Sequence, residues 1–307
     1  MDRRPLGRSG IEVSVLSLGS WRTYERVPRE QALATMNAAR EAGIAFLDDA
    51  RYGAGGSGHS ELLFGELFRA AGWQRDEVVV ANKLWWEFWP EQTAMEELEG
   101  SLERMGLDHL DIEYSAPPPA GLGVAEIVRA NAGLIESGKL RAWGVLNWPA
   151  AQIAEAAGVA AAEGIPPPCA AQLRYSLVDR AGVDDPEMAA ALAAAGTSVV
   201  ASASLAFGAL SGKYAAGGRS GRIAGELGDP RWAAALAAAE PLGALAARLG
   251  VAPSALAYAF ALTGPSVASV VFGATSPQQI AENAAAEAVL ARLGESELAE
   301  LARIGES

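Results

Sequence analysis

The feature that most constrains this chain is a slow alternation. Apolar runs of strand length recur roughly every 30 residues: Val15–Leu18, Ala45–Leu47, Val78–Ala81, Leu110–Tyr114, Ala142–Val145, Ala170–Leu173, Ser198–Ala201 and Ala268–Phe272. Continuous apolar runs suit strands buried on both faces, as in a parallel sheet. Between them lie segments with helical periodicity, at Arg29–Ala42, Glu61–Ala71, Glu91–Met105, Ala125–Ser137, Ala150–Glu163 and Pro186–Ala195. Several open at a proline or polar cap and stop at glycine, as at Pro149 and in Glu41-Ala-Gly43. Eight strands alternating with helices predict an α/β (β/α)8 TIM barrel, with a doubly wound open sheet as the alternative.

Two departures from the rhythm have readings of their own. The segment Pro5–Ser14 carries a turn signal at Arg8-Ser9-Gly10 and is expected to form an N-terminal β-hairpin plugging the barrel floor. Strands seven and eight are about 65 residues apart, more than one crossover helix needs. That interval holds the glycine-rich stretch Phe207–Asp229, then Arg231–Leu249 and Pro253–Leu262, alanine-rich and read as an extra helical segment. No linker marks a second domain, so residues 1–307 are expected to form one barrel domain.

Composition excludes several functions. A net charge of -13 argues against a nucleic-acid footprint and against anionic membrane surfaces. One cysteine, Cys169, allows no internal disulfide and fits a reducing compartment. With only His59 and His109 beside it, no clustered soft metal site is expected. No apolar run is long enough to span a membrane, and MDRRPLGRSG lacks the apolar core of a secretory signal, so a cytoplasmic protein is expected.

In a barrel, function sits where strands end and the following loops begin. The first strand ends Leu18-Gly19-Ser20-Trp21, the second Asp48-Asp49-Ala50-Arg51-Tyr52-Gly53, the third Asn82-Lys83, the fourth Tyr114-Ser115-Ala116 and the fifth Asn147-Trp148; the sixth carries Gln172. Asp48, Tyr52 and Lys83 at neighbouring strand ends make an acid device. A buried ammonium favours phenolate, an aspartate holds the lysine, and the tyrosine protonates a carbonyl oxygen. The structural alternative is a capping Asp48, a snorkelling Lys83 and a packing Tyr52. Trp21, Trp85, Trp86, Trp89 and Trp148 follow strand ends and suggest an apolar pocket for a bulky or aromatic substrate, with at least two of them simply packing loops. Leu205–Gly225 holds Lys213, Arg219 and Arg222 and no acid, which suits an anionic ligand or a solvated loop.

With these motifs the chain resembles the aldo-keto reductases over nearly its whole length, and most closely the branch that includes the potassium-channel β subunits and related bacterial oxidoreductases. The matching stretches include Leu6-Gly-Arg-Ser-Gly10, Gly43-Ile-Ala-Phe-Leu-Asp48, Ala81-Asn-Lys83, Ser101-Leu-Glu-Arg-Met-Gly-Leu-Asp108, Gly138-Lys-Leu-Arg-Ala-Trp-Gly-Val145, Gly212-Lys-Tyr214 and Gly273-Ala-Thr-Ser-Pro-Gln-Gln-Ile-Ala-Glu-Asn283. The resemblance implies NADP(H) bound in extended form without a Rossmann motif, and hydride transfer with a small-molecule carbonyl or alcohol substrate. It implies Asp48, Tyr52 and Lys83 as three members of a catalytic tetrad, with Tyr52 one residue closer to Asp48 than usual. The fourth member, a histidine, falls on Ala116, which neither donates nor orients. Cofactor contacts implied are Gly19, Ser20, Trp21, Asn147, Gln172, Ser202, Leu205, Gly208, Lys213, Arg222, Gly273, Thr275, Gln279, Glu282 and Asn283. Ser202 stands where an aromatic usually stacks on the nicotinamide. No basic residue lies in 273–283, so a preference for NADPH over NADH rests on the resemblance and not on local charge. Alternatives are a cofactor-binding sensor or partner subunit with weak or no turnover, and a barrel repurposed for a non-redox acid–base reaction. Oligomeric state is left open.

Overall fold

The architecture was taken from a computed structural model, which describes residues 1–52, 58–214 and 221–306. A hairpin, β1 (Arg3–Pro5) and β2 (Glu12–Ser14), comes first. Eight strands follow: β3 (Leu16–Gly19), β4 (Phe46–Asp48), β5 (Val79–Leu84), β6 (Leu110–Ser115), β7 (Leu140–Leu146), β8 (Ala170–Arg174), β9 (Ser198–Ser202) and β10 (Val267–Phe272). They pair in parallel, in order, and close into a barrel. Closure is made by β10 on β3, with Val270 opposite Leu16 and Phe272 opposite Leu18. That pairing rules out the open doubly wound sheet.

The crossovers are α1 (Arg29–Glu41), α2 (His59–Ala70), α3 (Ala94–Met105), α4 (Val124–Glu136), α5 (Ala150–Glu163), a single turn α6 (Ala181–Asp184) and α7 (Pro186–Ala195). In α3 the cause of each boundary is visible. Thr93 accepts from the Glu96 amide while Glu96 accepts from the Thr93 amide, a capping box. Leu98, Leu102 and Met105 put one buried stripe against the sheet, and Gly106 ends the helix in a left-handed turn (φ 67°). Such an N-cap is worth about 1 kcal/mol. The extra segment is α8 (Ala233–Leu249) and α9 (Pro253–Ala261); every residue of α9 from Ser254 to Ala261 is buried. After β10 come α10 (Pro277–Ala284), α11 (Ala286–Leu290) and α12 (Glu295–Ile304). Among the described residues no single helix is long and apolar enough to cross a membrane.

The hairpin seals the floor. Leu6, Ile11 and Val13 join Phe46, Val79, Ile112, Ala170 and Val200 in one buried cluster inside the barrel. Gly7 is required there: a Cβ would lie 2.3 Å from the Cys169 carbonyl oxygen, and its φ of 56° disfavours other residues. With the floor filled by apolar side chains, Asp48, Lys83 and Gln172 gather at the opposite mouth.

Candidate active site

The layer at the mouth is built by strand parity. Asp48 ends β4 and Lys83 lies near the end of β5, both facing inward. Lys83 is 1% exposed, its Nζ paired with Asp48 Oδ1 and donating to the Asp49 carbonyl at 3.0 Å. Gln172 on β8 reaches the same carboxylate, Nε2 to Oδ1 at 3.3 Å. Below, the lysine stands 5.5 Å over the ring of Tyr114, which fits because Gly144 opposite it has no Cβ; one there would come within 2.9 Å of the ring. A buried ammonium needs such partners, because an unpaired charge at this depth costs several kcal/mol.

Tyr52 is held from its backbone. Its amide donates to Ser60 Oγ at 2.9 Å, and that hydroxyl donates to the Ala50 carbonyl. Its ring meets Trp85 edge-on at 6.3 Å. Trp85 is placed in turn by Glu97, whose carboxylate takes the amides of Trp85 (2.9 Å) and Trp86 (3.2 Å). Lys83 donates to Asp48 and to the Asp49 carbonyl. Burial, then Asp48 and Asp49, hold the Tyr52 hydroxyl well above the usual range, with Arg222 opposing. Ala116 is buried just past β6 and brings no donor. His59 is exposed at the first turn of α2, and His109 precedes β6 with its proton affinity lowered by burial and Arg75.

Beside this layer opens a cavity of about 620 Å³, between the loop after β9 and the β10–α10 junction. Leu205, Gly208, Lys213 and Arg222 line one wall. Gly273, Thr275, Gln279, Glu282 and Asn283 line the other. Glycines make room for the cations. A Cβ on Gly208 would lie 2.9 Å from Lys213 Nζ, one on Gly221 2.9 Å from the same atom, and one on Gly273 2.2 Å from Arg222 Nη2. Arg222 donates to the Trp21 carbonyl at 2.8 Å and covers the Trp21 ring at 5.3 Å, tying Arg222 to the residue just past β3. Arg219 and Gly53 lie outside the described residues.

Other expected contacts sit elsewhere or are already engaged. Ser20 donates to Asp49 Oδ1, and Ser202 to the Leu173 carbonyl at 3.0 Å. Gly19 lies at the barrel seam, where a Cβ would come 3.0 Å from Val271 Cγ2. Asn147, with a left-handed φ of 53°, lines a separate cavity of about 430 Å³ with Trp148 and Arg174. None of the five tryptophans lines the larger cavity; Trp86 and Trp148 are core residues, and Trp21 packs edge-on to Phe207 at 5.6 Å. Among the described residues no group of three His, Cys, Asp or Glu side chains could hold a metal ion.

Three features were not read from the sequence. Asp49 is fully buried with Oδ2 unpartnered. Glu113 on β6 is fully buried with neither oxygen paired, and burial, Glu97 and Glu61 hold its carboxyl well above the usual range. Arg22 and Arg26, after β3, line the large cavity. Their place directly behind a strand end was the available signal.

The chain matches the aldo/keto reductase family model over residues 15–306. It is 35% identical over 298 residues to a probable voltage-gated potassium channel subunit beta of Oryza sativa subsp. japonica, covering 92% of this chain and 90% of the relative. A probable subunit beta of Arabidopsis thaliana is 30% identical over 298 residues, with the same two coverages. A putative one of Schizosaccharomyces pombe is 31% identical over 299 residues, covering 91% of this chain and 86% of the relative. A closed parallel barrel with a polar layer at its mouth, and a match over nearly the whole length, lead to one conclusion: the chain belongs to the aldo/keto reductase family.

Proposed function

We propose that this protein is an NADP(H)-dependent oxidoreductase acting on small-molecule carbonyls or alcohols, a cytoplasmic enzyme with the whole chain as one domain. The observation that carries the reading is the cavity: about 620 Å³, cradled by glycines, with Lys213 and Arg222 on one wall and the polar side chains of Thr275, Gln279 and Glu282 on the other. That donor set fits a dinucleotide, with cations for its phosphates and an acid and amides for a purine and ribose. Lys213, Arg222, Thr275, Gln279 and Glu282 would hold such a dinucleotide, and its nicotinamide would supply the hydride chemistry.

The chain's own groups do the rest. Tyr52 holds the proton for the carbonyl oxygen at its phenolic hydroxyl, kept protonated by burial and by two aspartates. Asp48 and Lys83 fix the charge pattern beneath it, and Trp85 sets the tyrosine's ring. The assay is oxidation of NADPH followed by absorbance against a panel of aldehydes and aromatic ketones. Tyr52→Phe should lower turnover by about 100-fold or more while leaving NADPH affinity within about twofold. A variant as fast as the parent would remove Tyr52 from the role.

Ala116 and Ser202 support a second reading, a cofactor-holding protein with slow turnover, in line with the subunit names of its relatives. One missing preorganised donor costs about 10²–10³ in rate. Tight NADPH binding with no oxidation across the panel would favour it.

A further inference from the structure

The large cavity has a third wall. Arg22 and Arg26, in the loop between β3 and α1, line it together with Arg222 and Lys213. Arg22 sits in a left-handed backbone (φ 55°), uncommon for arginine, and its guanidinium lies 5.2 Å over the Trp21 ring. Arg222 covers the same ring at 5.3 Å. Two guanidiniums thus share one indole, and Arg26 and Arg22 both repel the charge on Arg222. In a chain with 37 acids and 24 basic residues, none of Arg22, Arg26, Lys213 or Arg222 has an ion-pair partner among the described residues. The acids nearby, Glu25 and Glu282, are hydrogen-bonded to neutral donors and form no ion pair with these cations. Glu25 accepts from the Thr23 amide at 3.0 Å, and Glu282 from Gln278 at 2.8 Å. Converging cations left unneutralised in an acidic protein are the electrostatic mark of an anion site.

The position of this wall decides which anion. Thr23 lies against Gly273, where a Cβ would meet its methyl at 2.8 Å. From the start of α1, Gln31 donates to the Thr275 carbonyl at 2.7 Å. The loop carrying Arg22 and Arg26 therefore runs beside the β10–α10 junction. That is the end lined by Thr275, Gln279, Glu282 and Asn283, where the adjoining segment 273–283 has no basic residue of its own.

We infer that Arg22 and Arg26 select the cofactor, by binding the 2′-phosphate that distinguishes NADP(H) from NAD(H). The inference rests on the dinucleotide reading of the cavity. The two arginines supply from across the cavity the charge that the β10–α10 segment lacks, and Arg222 completes the cage. Guanidinium suits this task, since its planar donors pair with phosphate in two-point contacts.

The test measures binding, without turnover. Dissociation constants for NADP⁺, NAD⁺, adenosine 2′,5′-bisphosphate and 5′-AMP are measured by calorimetry for the parent and for Arg22→Asn, Arg26→Gln and the double variant. Asparagine is chosen at 22 because it tolerates the left-handed backbone. Both side chains are exposed, so apo melting temperatures should match the parent. The double variant should lose tenfold or more in affinity for NADP⁺ and the bisphosphate, and stay within twofold for NAD⁺ and 5′-AMP. Equal losses for all four ligands would overturn the assignment, placing the charge at the common phosphates. No loss for any would make the arginines bystanders and overturn it too. If neither dinucleotide binds the parent, the cavity reading itself fails, a separate result from either.

Discussion

Replacing Asp49 by asparagine should stabilise the protein, by an amount that depends on pH in a defined direction. Asp49 follows Asp48 at the end of β4 and is fully buried. Its Oδ1 accepts from the Ser20 hydroxyl, and its Oδ2 has no partner. Burial pushes its pKa up to about 7, with Glu61 adding and Ser20 and Lys83 opposing. The folded protein therefore holds this proton more tightly than the unfolded chain. The stability gained from it is fully present below the ordinary aspartate value, falls as pH rises, and is gone above about 7. The interval between the ordinary value and about 7 corresponds to about 4 kcal/mol. Asparagine keeps the acceptor for Ser20 and carries no charge. Its amide also brings a donor into a region where the Tyr24 hydroxyl, coupled electrostatically to Asp49, is buried and unpartnered. Urea unfolding of parent and variant, followed by tryptophan fluorescence at pH 5, 6, 7 and 8, reads the effect, since titrating groups not coupled to Asp49 cancel in the difference. The variant should gain on the parent by roughly 1 kcal/mol per pH step up to about 7 and level off above it. A difference constant across the range, or one that grows toward acid, would refute the reasoning.

Two further outcomes follow from the same geometry. Lys83→Met strands the Asp48 carboxylate at 5% exposure and should cost about 3–5 kcal/mol in denaturant unfolding, with much of the loss recovered in a double variant that also carries Asp48→Asn. Gly273→Ala places a methyl 2.2 Å from Arg222 Nη2 and 2.8 Å from Thr23 Cγ2, so it should displace the guanidinium and weaken NADP⁺ binding by tenfold or more in a fluorescence titration.

The strands were legible because each is buried on both faces and reads as an unbroken apolar run. The third strand, an apolar run closed by Asn82-Lys83, reaches Leu84 in the structure, its two polar residues satisfied by Glu61 (2.9 Å from Asn82) and by Asp48. The helices α1 to α5 and α7 to α9 fall within three residues of their sequence signals at either end, whereas α12 was not read, its apolar stripe being thin between charged residues. Strand ends located Asp48, Lys83 and Gln172, since parity alone sends them inward at the mouth. Which donor meets which acceptor was not legible. That Lys83 turns to two aspartates and leaves Tyr52 to Trp85 depends on side-chain packing around the strand ends. The meeting of Arg22 and Arg26 with Arg222 joins positions about 200 residues apart through two irregular loops, where no periodicity speaks.

The plug in the floor sets an order on how this chain can be made. Arg4 is held by the carbonyls of Leu262 (3.1 Å) and Val267 (2.6 Å), and the Gly7 amide by Ser198 Oγ (2.9 Å). Those partners leave the ribosome some 190 to 260 residues after the hairpin does. Leu6, Ile11 and Val13 are thus made well before several of the residues that cover them, such as Ala170 and Val200. For most of its synthesis the nascent chain carries an apolar hairpin with nowhere to go, and contacts of such long sequence separation are the slow ones to form. The hairpin is therefore held by contacts of long sequence separation, and its protection waits on the closing strand of the barrel.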